Sequence, residues 1–372
     1  MGGAGVLVVT GPGLVVDPDL IRETAEPEFA ALGVAGRCAV AAGPESLRDL
    51  LTGAGQDDRL ALVVLPGPDP SARRLAHEPG PHADRTVWYD PVRTGPLGVA
   101  PGGTHLAGRG VWGLVWAVRH AVHRMRHPAR RVGYGTDPDQ WGELRVPDQA
   151  ARPVPVAVLV HGGFWRSIWG ADLLDALAID LVGRGVATWN LEYRRPDRYG
   201  WAATTADLAD GLAALATVTG VPPLDIDRVA VIGHSAGGQL ALRAAADSGR
   251  VALAVSLAGV LDLAEAERRW IGTGAVAAAL GGTQAELPGL YAAADPLSRL
   301  PLGIPQLVVQ GRDDDPDLVD IGRRYARAAR AAGDEVTHLE QPGDHFSVID
   351  PTSAIWQATA TELTRRLARQ AS

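Results

Sequence analysis

The chain has 372 residues, 46% of them hydrophobic and 21% charged, a globular composition with room for two or three domains that excludes disorder. A net charge of −8 supplies no field for nucleic acid or an anionic membrane, so the expected partner is a small-molecule substrate. One cysteine, Cys38, excludes disulfide frameworks and Cys-based zinc sites, and since all 35 basic residues are Arg, Schiff-base, pyridoxal-phosphate and Walker A chemistry are excluded too, so neither cofactor nor metal is expected.

The first set of apolar periods predicts a strand over residues 6–9, a helix over 19–32, strands over 60–65 and 86–89, and a long helix over 110–126. His120, His123 and His127 would share a face of that last helix, but no Asp, Glu or Cys completes a metal set. With Arg119, Arg124, Arg126, Arg130 and Arg131 alongside, the face reads as solvated or domain-facing. Residues 126–138 carry charge, Gly and Pro without an apolar period, the mark of a linker, which puts the domain boundary near residue 130. No apolar run reaches the ~20 residues of a membrane helix, the longest being Val251 to Leu261, and the first basic residue is Arg22, too late for a signal-peptide n-region. A cytoplasmic chain is expected.

The second set, residues 131–372, predicts strands over 156–160, 186–191, 228–232, 252–257, 306–310 and 335–339, with helices between them and a final helix over 351–369. Strands alternating with helices mean α/β architecture with parallel sheets throughout. Residues 262–300 are too long for an ordinary connection and are expected to form a helical cap over the strand ends, where ligands bind in open α/β sheets.

Val229 to Gly238 is the most specific feature: a buried strand runs into Gly233-His-Ser235-Ala-Gly237 and on into a helical segment. A serine on a sharp strand-to-helix turn is exposed for nucleophilic attack, and its flanking glycines avoid collisions with neighbouring backbone. A base must take its proton, and His345, in Gly343-Asp-His-Phe346 after the last strand, stands in the right loop. His234 should point away from the turn, and His338 lies within the strand. The orienting acid is expected after the preceding strand, where Asp314 is preferred to Asp313 and Asp315, read as solvated loop carboxylates or helix N-caps; Asp262, after the strand over 252–257, is the alternative. Backbone donors for a developing oxyanion are expected from Ala236 and from His161-Gly-Gly-Phe-Trp165, with Gly163 and Phe164 as donors, Gly162 a near alternative and His161 a structural hydrogen-bonding residue.

From Tyr134-Gly135 to the C-terminus, about two-thirds of the chain, the sequence resembles the α/β-hydrolase superfamily in its branch of HGG esterases, and within it kynurenine formamidase. The residues that carry the likeness are Tyr134-Gly135 with Asp139-Gln140, His161-Gly-Gly-Phe-Trp165, Gly233-His-Ser-Ala-Gly237, Gly311 to Pro316 and Gly343-Asp-His-Phe346. The resemblance implies hydrolysis of N-formyl-L-kynurenine or another aryl formamide to arylamine and formate. A small-acyl carboxylesterase with the same triad is the alternative, and a non-catalytic binding protein of the same fold is the rival from another class. An aromatic leaving group calls for apolar walls, for which Trp165, Trp169, Tyr193, Trp201 and Trp270 are available, about two of them in contact with substrate and the rest core. Arg194 and Arg195 read either as a carboxylate clamp or as exposed loop residues, and Asp207 and Asp210 as surface carboxylates.

The N-terminal part resembles type II dehydroquinase, a flavodoxin-like dehydratase, through Val6 to Leu14, Leu62 to Gly67 and the helix near 111–122. It departs from that family where it matters for catalysis. Gly13 stands at the Asn position, no Tyr follows Leu14 as a lid residue, and Thr86 to Asp90 lacks the family's His. The expectation is a smaller domain over 1–130 without dehydratase activity, serving homo-oligomer assembly, stability or as a lid.

Overall fold

The computed structural model describes residues 4–148 and 153–369, and the chain divides into two compact units, Met1–Pro128 and Ala129–Ser372. The first unit is built on five parallel strands: β1 Gly5–Thr10, β2 Ala35–Val40, β3 Leu60–Leu65, β4 Thr86–Asp90 and β5 Thr104–Ala107. Their spatial order is β2-β1-β3-β4-β5, the flavodoxin-like arrangement. β1 is apolar at successive positions because both its faces are covered. Val6 and Val8 join a core with Ile21, Phe29, Leu114 and Val118, and Leu7 and Val9 join another with Leu47, Leu51 and Trp88. β2 and β5 were not expected. Each is an edge strand with half-exposed positions, so neither shows the unbroken apolar run that marks β1 and β3.

The basic helix is Leu114–Arg126, and His127 is its C-cap with non-helical backbone, so His120, His123 and His127 do not share one helical face. Arg126 is exposed to solvent, as the solvated reading expects, and the helix's arginines also bond within the first unit. Arg119 pairs with Glu28 at 2.6 Å, Arg126 donates to the carbonyls of Leu32 and Gly33, and Arg124 bonds Thr104 and the carbonyl of Gly102. They tie this helix to the end of the helix Pro18–Ala31 and to β5.

The second unit contains β6 Arg130–Gly133, β7 Trp141–Arg145, β8 Val154–Val160, β9 Ala187–Glu192, β10 Leu224–His234, β11 Leu253–Leu257, β12 Gln306–Gly311 and β13 Val336–Gln341. They form one sheet in the order β13-β12-β11-β10-β8-β9-β7-β6. β9 to β7 and β7 to β6 are antiparallel, and every other pairing is parallel. The expected linker over 126–138 is corrected here: Arg130–Gly133 pairs with Trp141–Arg145 as a hairpin at the sheet's margin. Its polar residues suit an edge strand exposed on one side, and Arg131 stacks its guanidinium 3.7 Å from the Trp141 ring centre. Inside the sheet, Val156, Val158 and Val160 of β8 enter the large core with Trp189, Leu191 and Val231, while Ala157 and Leu159 are buried on the opposite face.

After β11 the chain makes three short helices, Leu263–Arg268, Ala275–Leu280 and Pro288–Ala294, before returning to β12. Among the described residues no helix is long and apolar enough to cross a membrane.

Candidate active site

β10 ends at His234, and Ser235 turns the chain into the helix Ala236–Ser248 with φ 55° and ψ −121°. A non-glycine residue held there stores roughly 1–3 kcal/mol of strain, which the surroundings must over-determine. The surroundings do so by close approach. A Cβ on Gly233 would stand 1.9 Å from the carbonyl oxygen of Gly237, and one on Gly237 would stand 2.2 Å from that of Val160 and 2.4 Å from that of His161. The amide of Ser235 donates to Leu257 of β11 at 2.8 Å. The elbow is thus wedged between β8 and β11, with its serine 4% exposed.

The loops after β12 and β13 are laced together. Arg312 N donates to the carbonyl of Gln341 at 2.8 Å, Asp313 N to that of Gly343 at 2.9 Å, and Gly343 N returns a bond to the Asp313 carboxylate at 2.9 Å. Asp313 is therefore neither a purely solvated carboxylate nor a cap. Asp315 is the N-cap of the helix Pro316–Ala331. Between them Asp314 turns inward, its side chain 2% exposed, and accepts from His345 Nδ1 at 2.9 Å, from Gln310 Nε2 at 2.9 Å and from the Asp315 amide at 2.7 Å. Asp262 is elsewhere, capping the helix Leu263–Arg268 and pairing with Arg324 at 3.1 Å.

His234 does not point away from this centre, as expected, but packs on it. Its ring lies 4.7 Å from that of His345, and its Nε2 donates to the His345 carbonyl at 3.0 Å. Burial and the neighbouring His345 push its pKa down to about 3, so it is neutral. Phe346 covers the His345 ring edge-on at 5.6 Å.

The loop after β8 faces the elbow. A Cβ on Gly162 would stand 2.9 Å from Ser235 Cβ and 2.5 Å from the His234 carbonyl oxygen, so only glycine lets this backbone lie against the serine. Gly163, Phe164 and Trp165 follow with φ of 107°, 52° and 56°, three successive left-handed residues that turn the loop over the strand end. Among the described residues nothing accepts from the amides of Gly163, Phe164 or Ala236, which leaves them available to a ligand oxygen. His161 is wholly buried, with Nδ1 2.9 Å from the Gly162 carbonyl and Nε2 3.3 Å from Glu192 Oε1. In chemical terms the arrangement offers a hydroxyl, an imidazole oriented by a carboxylate, and unused amide donors.

Of the aromatic residues expected as walls, Trp169 is half-buried and lies against Gly163. Trp165 and Tyr193 are corrected to core: Trp165 is 2% exposed with its indole N–H on Gln239, and Tyr193 is fully buried with its hydroxyl on the His161 carbonyl at 2.8 Å. Trp201 packs edge-on against Trp165. Trp270 is 65% exposed in the loop between the helices Leu263–Arg268 and Ala275–Leu280 and folds over Gly274. Arg194 and Arg195 form no open clamp, because Arg194 pairs with Asp207 at 2.7 Å and Arg195 with Glu192 and Asp139. Asp207 is fully buried, not a surface carboxylate. Sequence reasoning missed Glu192, Phe346 and the packing of His234. A Glu closing an apolar strand before Tyr193-Arg-Arg195 was the available signal for the first.

Residues 143–321 match BD-FAE, an α/β-hydrolase esterase family. A solved structure titled bacterial heroin esterase is 25% identical and superposes on 65% of this chain and 83% of its own with a TM-score of 0.54. Esterase B from Lactobacillus rhamnosis superposes on 68% of this chain and 93% of its own at a TM-score of 0.57, with 18% identity. The second unit has the α/β-hydrolase fold. Among curated proteins, esterase LipC of Mycobacterium tuberculosis is 34% identical over 33% of this chain and 30% of its own length, and the α/β hydrolase psoB of Aspergillus fumigatus is 34% identical over the same shares. The match thus spans about 30% of the length of these curated relatives.

Proposed function

We propose that the chain is a serine hydrolase that cleaves a carboxylic ester or amide, with Ser235 as nucleophile, His345 as general base and Asp314 as its orienting acid. The observation that carries this reading is the 2.9 Å bond between His345 and a buried Asp314 beside a left-handed Ser235 elbow. Ser235 Oγ attacks the carbonyl carbon as His345 Nε2 takes its proton. The amides of Gly163, Phe164 and Ala236 receive the oxyanion, and His345 returns the proton to the leaving alcohol or amine. Water then repeats the sequence on the acyl-enzyme. Ser235 Oγ has no hydrogen bond to His345 among the described residues, a contact that tightens in many hydrolases only with substrate bound.

Two substrate readings share this machinery. The names of the relatives support a small-acyl ester. The His161-Gly-Gly-Phe-Trp165 loop and the aromatic rings of Phe164, Trp169, Trp270 and Phe346 favour an aryl formamide, N-formyl-L-kynurenine first. The test is formate release from N-formyl-L-kynurenine alongside p-nitrophenyl acetate cleavage, by the whole chain and by Ser235→Ala. Ser235-dependent formate release selects the formamidase, and Ser235-dependent cleavage of the acetate alone selects the esterase. In either case Ser235→Ala falls by about 10⁶ in kcat if the triad acts as a unit. Cleavage of neither substrate removes the proposal.

A further inference from the structure

Behind the glycine loop lies a buried ionic cluster that the reaction itself does not use. Glu192, the last residue of β9, is 7% exposed and gathers donors from three directions. The amide of Ala171 donates to Oε2 at 3.0 Å, the amide of Tyr193 to Oε1 at 3.2 Å, and Arg195 lies against Oε1. The ring of His161 completes the set at 3.3 Å and stacks on Tyr193 with 4.4 Å between ring centres. The Tyr193 hydroxyl donates to the His161 carbonyl at 2.8 Å, and Tyr134 donates to the Glu192 carbonyl at 2.6 Å. Arg195 continues to Asp139 at 3.1 Å. Burial pushes the Glu192 carboxyl up, but Arg195, His161 and the Ala171 amide outweigh it and hold the pKa at about 2. It is therefore an anion at neutral pH.

We infer that Glu192 is a positioning residue for the oxyanion loop: by fixing the His161 ring from behind, it sets where the amides of Gly163 and Phe164 point. The physical need is local. Gly163, Phe164 and Trp165 sit in left-handed backbone, and such a turn relaxes unless its base is pinned. The pin is His161, whose side chain is held by Glu192 and whose carbonyl is held by Tyr193. The cluster also gives a purpose to Tyr134 and Asp139, which lie before the sheet's central strands and touch no candidate reacting group. This inference rests on the serine-hydrolase reading, since it assigns those amides to an oxyanion.

The test uses p-nitrophenyl acetate turnover and inhibition by a trifluoromethyl ketone, which presents its oxyanion only after addition of Ser235. Glu192→Gln keeps the shape and removes the charge. Its kcat is expected to fall about 10- to 100-fold with KM within about twofold, and ketone affinity should weaken by the same factor as kcat/KM. Tyr193→Phe, which loses one hydroxyl on the same loop, should shift both quantities together by a smaller factor and decides the matter if Glu192→Gln does not fold. Gln140→Ala cuts a bond to Asp207 in the neighbouring cluster; it should lower Tm while kcat and ketone affinity stay within about twofold. Wild-type kcat or wild-type ketone affinity in a folded Glu192→Gln overturns the inference, as does a Gln140→Ala variant that loses ketone affinity equally. An inactive wild-type protein that fails to bind the ketone would instead indict the serine-hydrolase reading.

Discussion

Asp314 accepts three hydrogen bonds while nearly wholly buried, so its position relative to His345 is fixed before any substrate arrives. Asp314→Asn keeps the shape but favours the wrong imidazole tautomer, and kcat should drop by about 10⁴ with the fold intact; a loss under tenfold would show that His345 is oriented by something else. His234 supplies a different test. Its folded pKa of about 3 lies below its ordinary 6.5, so between those values the unfolded chain binds a proton that the folded chain refuses. The stabilisation is complete above pH 6.5 and is lost as pH falls toward 3. The urea midpoint should therefore fall from pH 7 to pH 5, and less steeply in His234→Gln. The slope should shrink without vanishing, because burial pushes His82 and His338 down as well. Equal slopes would contradict this. At this scale the sequence was readable where chemistry dictates position along the chain. Ser235, His345 and Asp314 occupy the loops that strand order assigns them, whereas Glu192 was not legible because its partners come from residues 161, 171, 193 and 195.

The elbow joins β10 to the helix Ala236–Ser248, and its tolerance for side chains is set by backbone that cannot move aside. Gly237→Ala would drive a methyl into the carbonyls of Val160 and His161. Overpacking of this kind costs about 1–3 kcal/mol, or roughly 2–12 °C in Tm for a unit of this size. The displaced loop should lower hydrolysis as well; unchanged Tm and rate would mean that the elbow is looser than the distances state. The strands that build this region were legible because central parallel strands are apolar on both faces, as in Val156 to Val160 and Gln306 to Gln310. β2, β5, β6 and β7 were not. Edge strands and antiparallel margins carry Arg, Thr and Gly, and Arg130-Arg-Val-Gly133 reads as a linker until Trp141–Arg145 is seen beside it.

At the scale of the whole molecule, the candidate residues Gly162 to Phe164, Ser235, Asp314 and His345 all belong to the unit Ala129–Ser372. A chain beginning at Ala129 should fold with one cooperative transition and keep kcat/KM for p-nitrophenyl acetate within about threefold. A larger loss would assign part of the site to the first unit. We propose assembly as the role of that first unit, which has the flavodoxin-like strand order. Sedimentation should then give a multiple of 38.9 kDa for the full chain and a monomer for the shorter one. A shift in composition set the expected boundary near residue 130, and the two units divide between Pro128 and Ala129; what the first unit does was not legible, because the resemblance expected of it implied no catalytic residues there.

The most direct measurement is covalent labelling of the full chain with a fluorophosphonate, followed by peptide mass spectrometry. A serine made nucleophilic by His345 predicts one phosphonylated residue, Ser235, with labelling lost in Ser235→Ala and slowed by several powers of ten in His345→Ala. No adduct on Ser235 in a folded protein, or an adduct that forms equally fast without His345, would contradict the account.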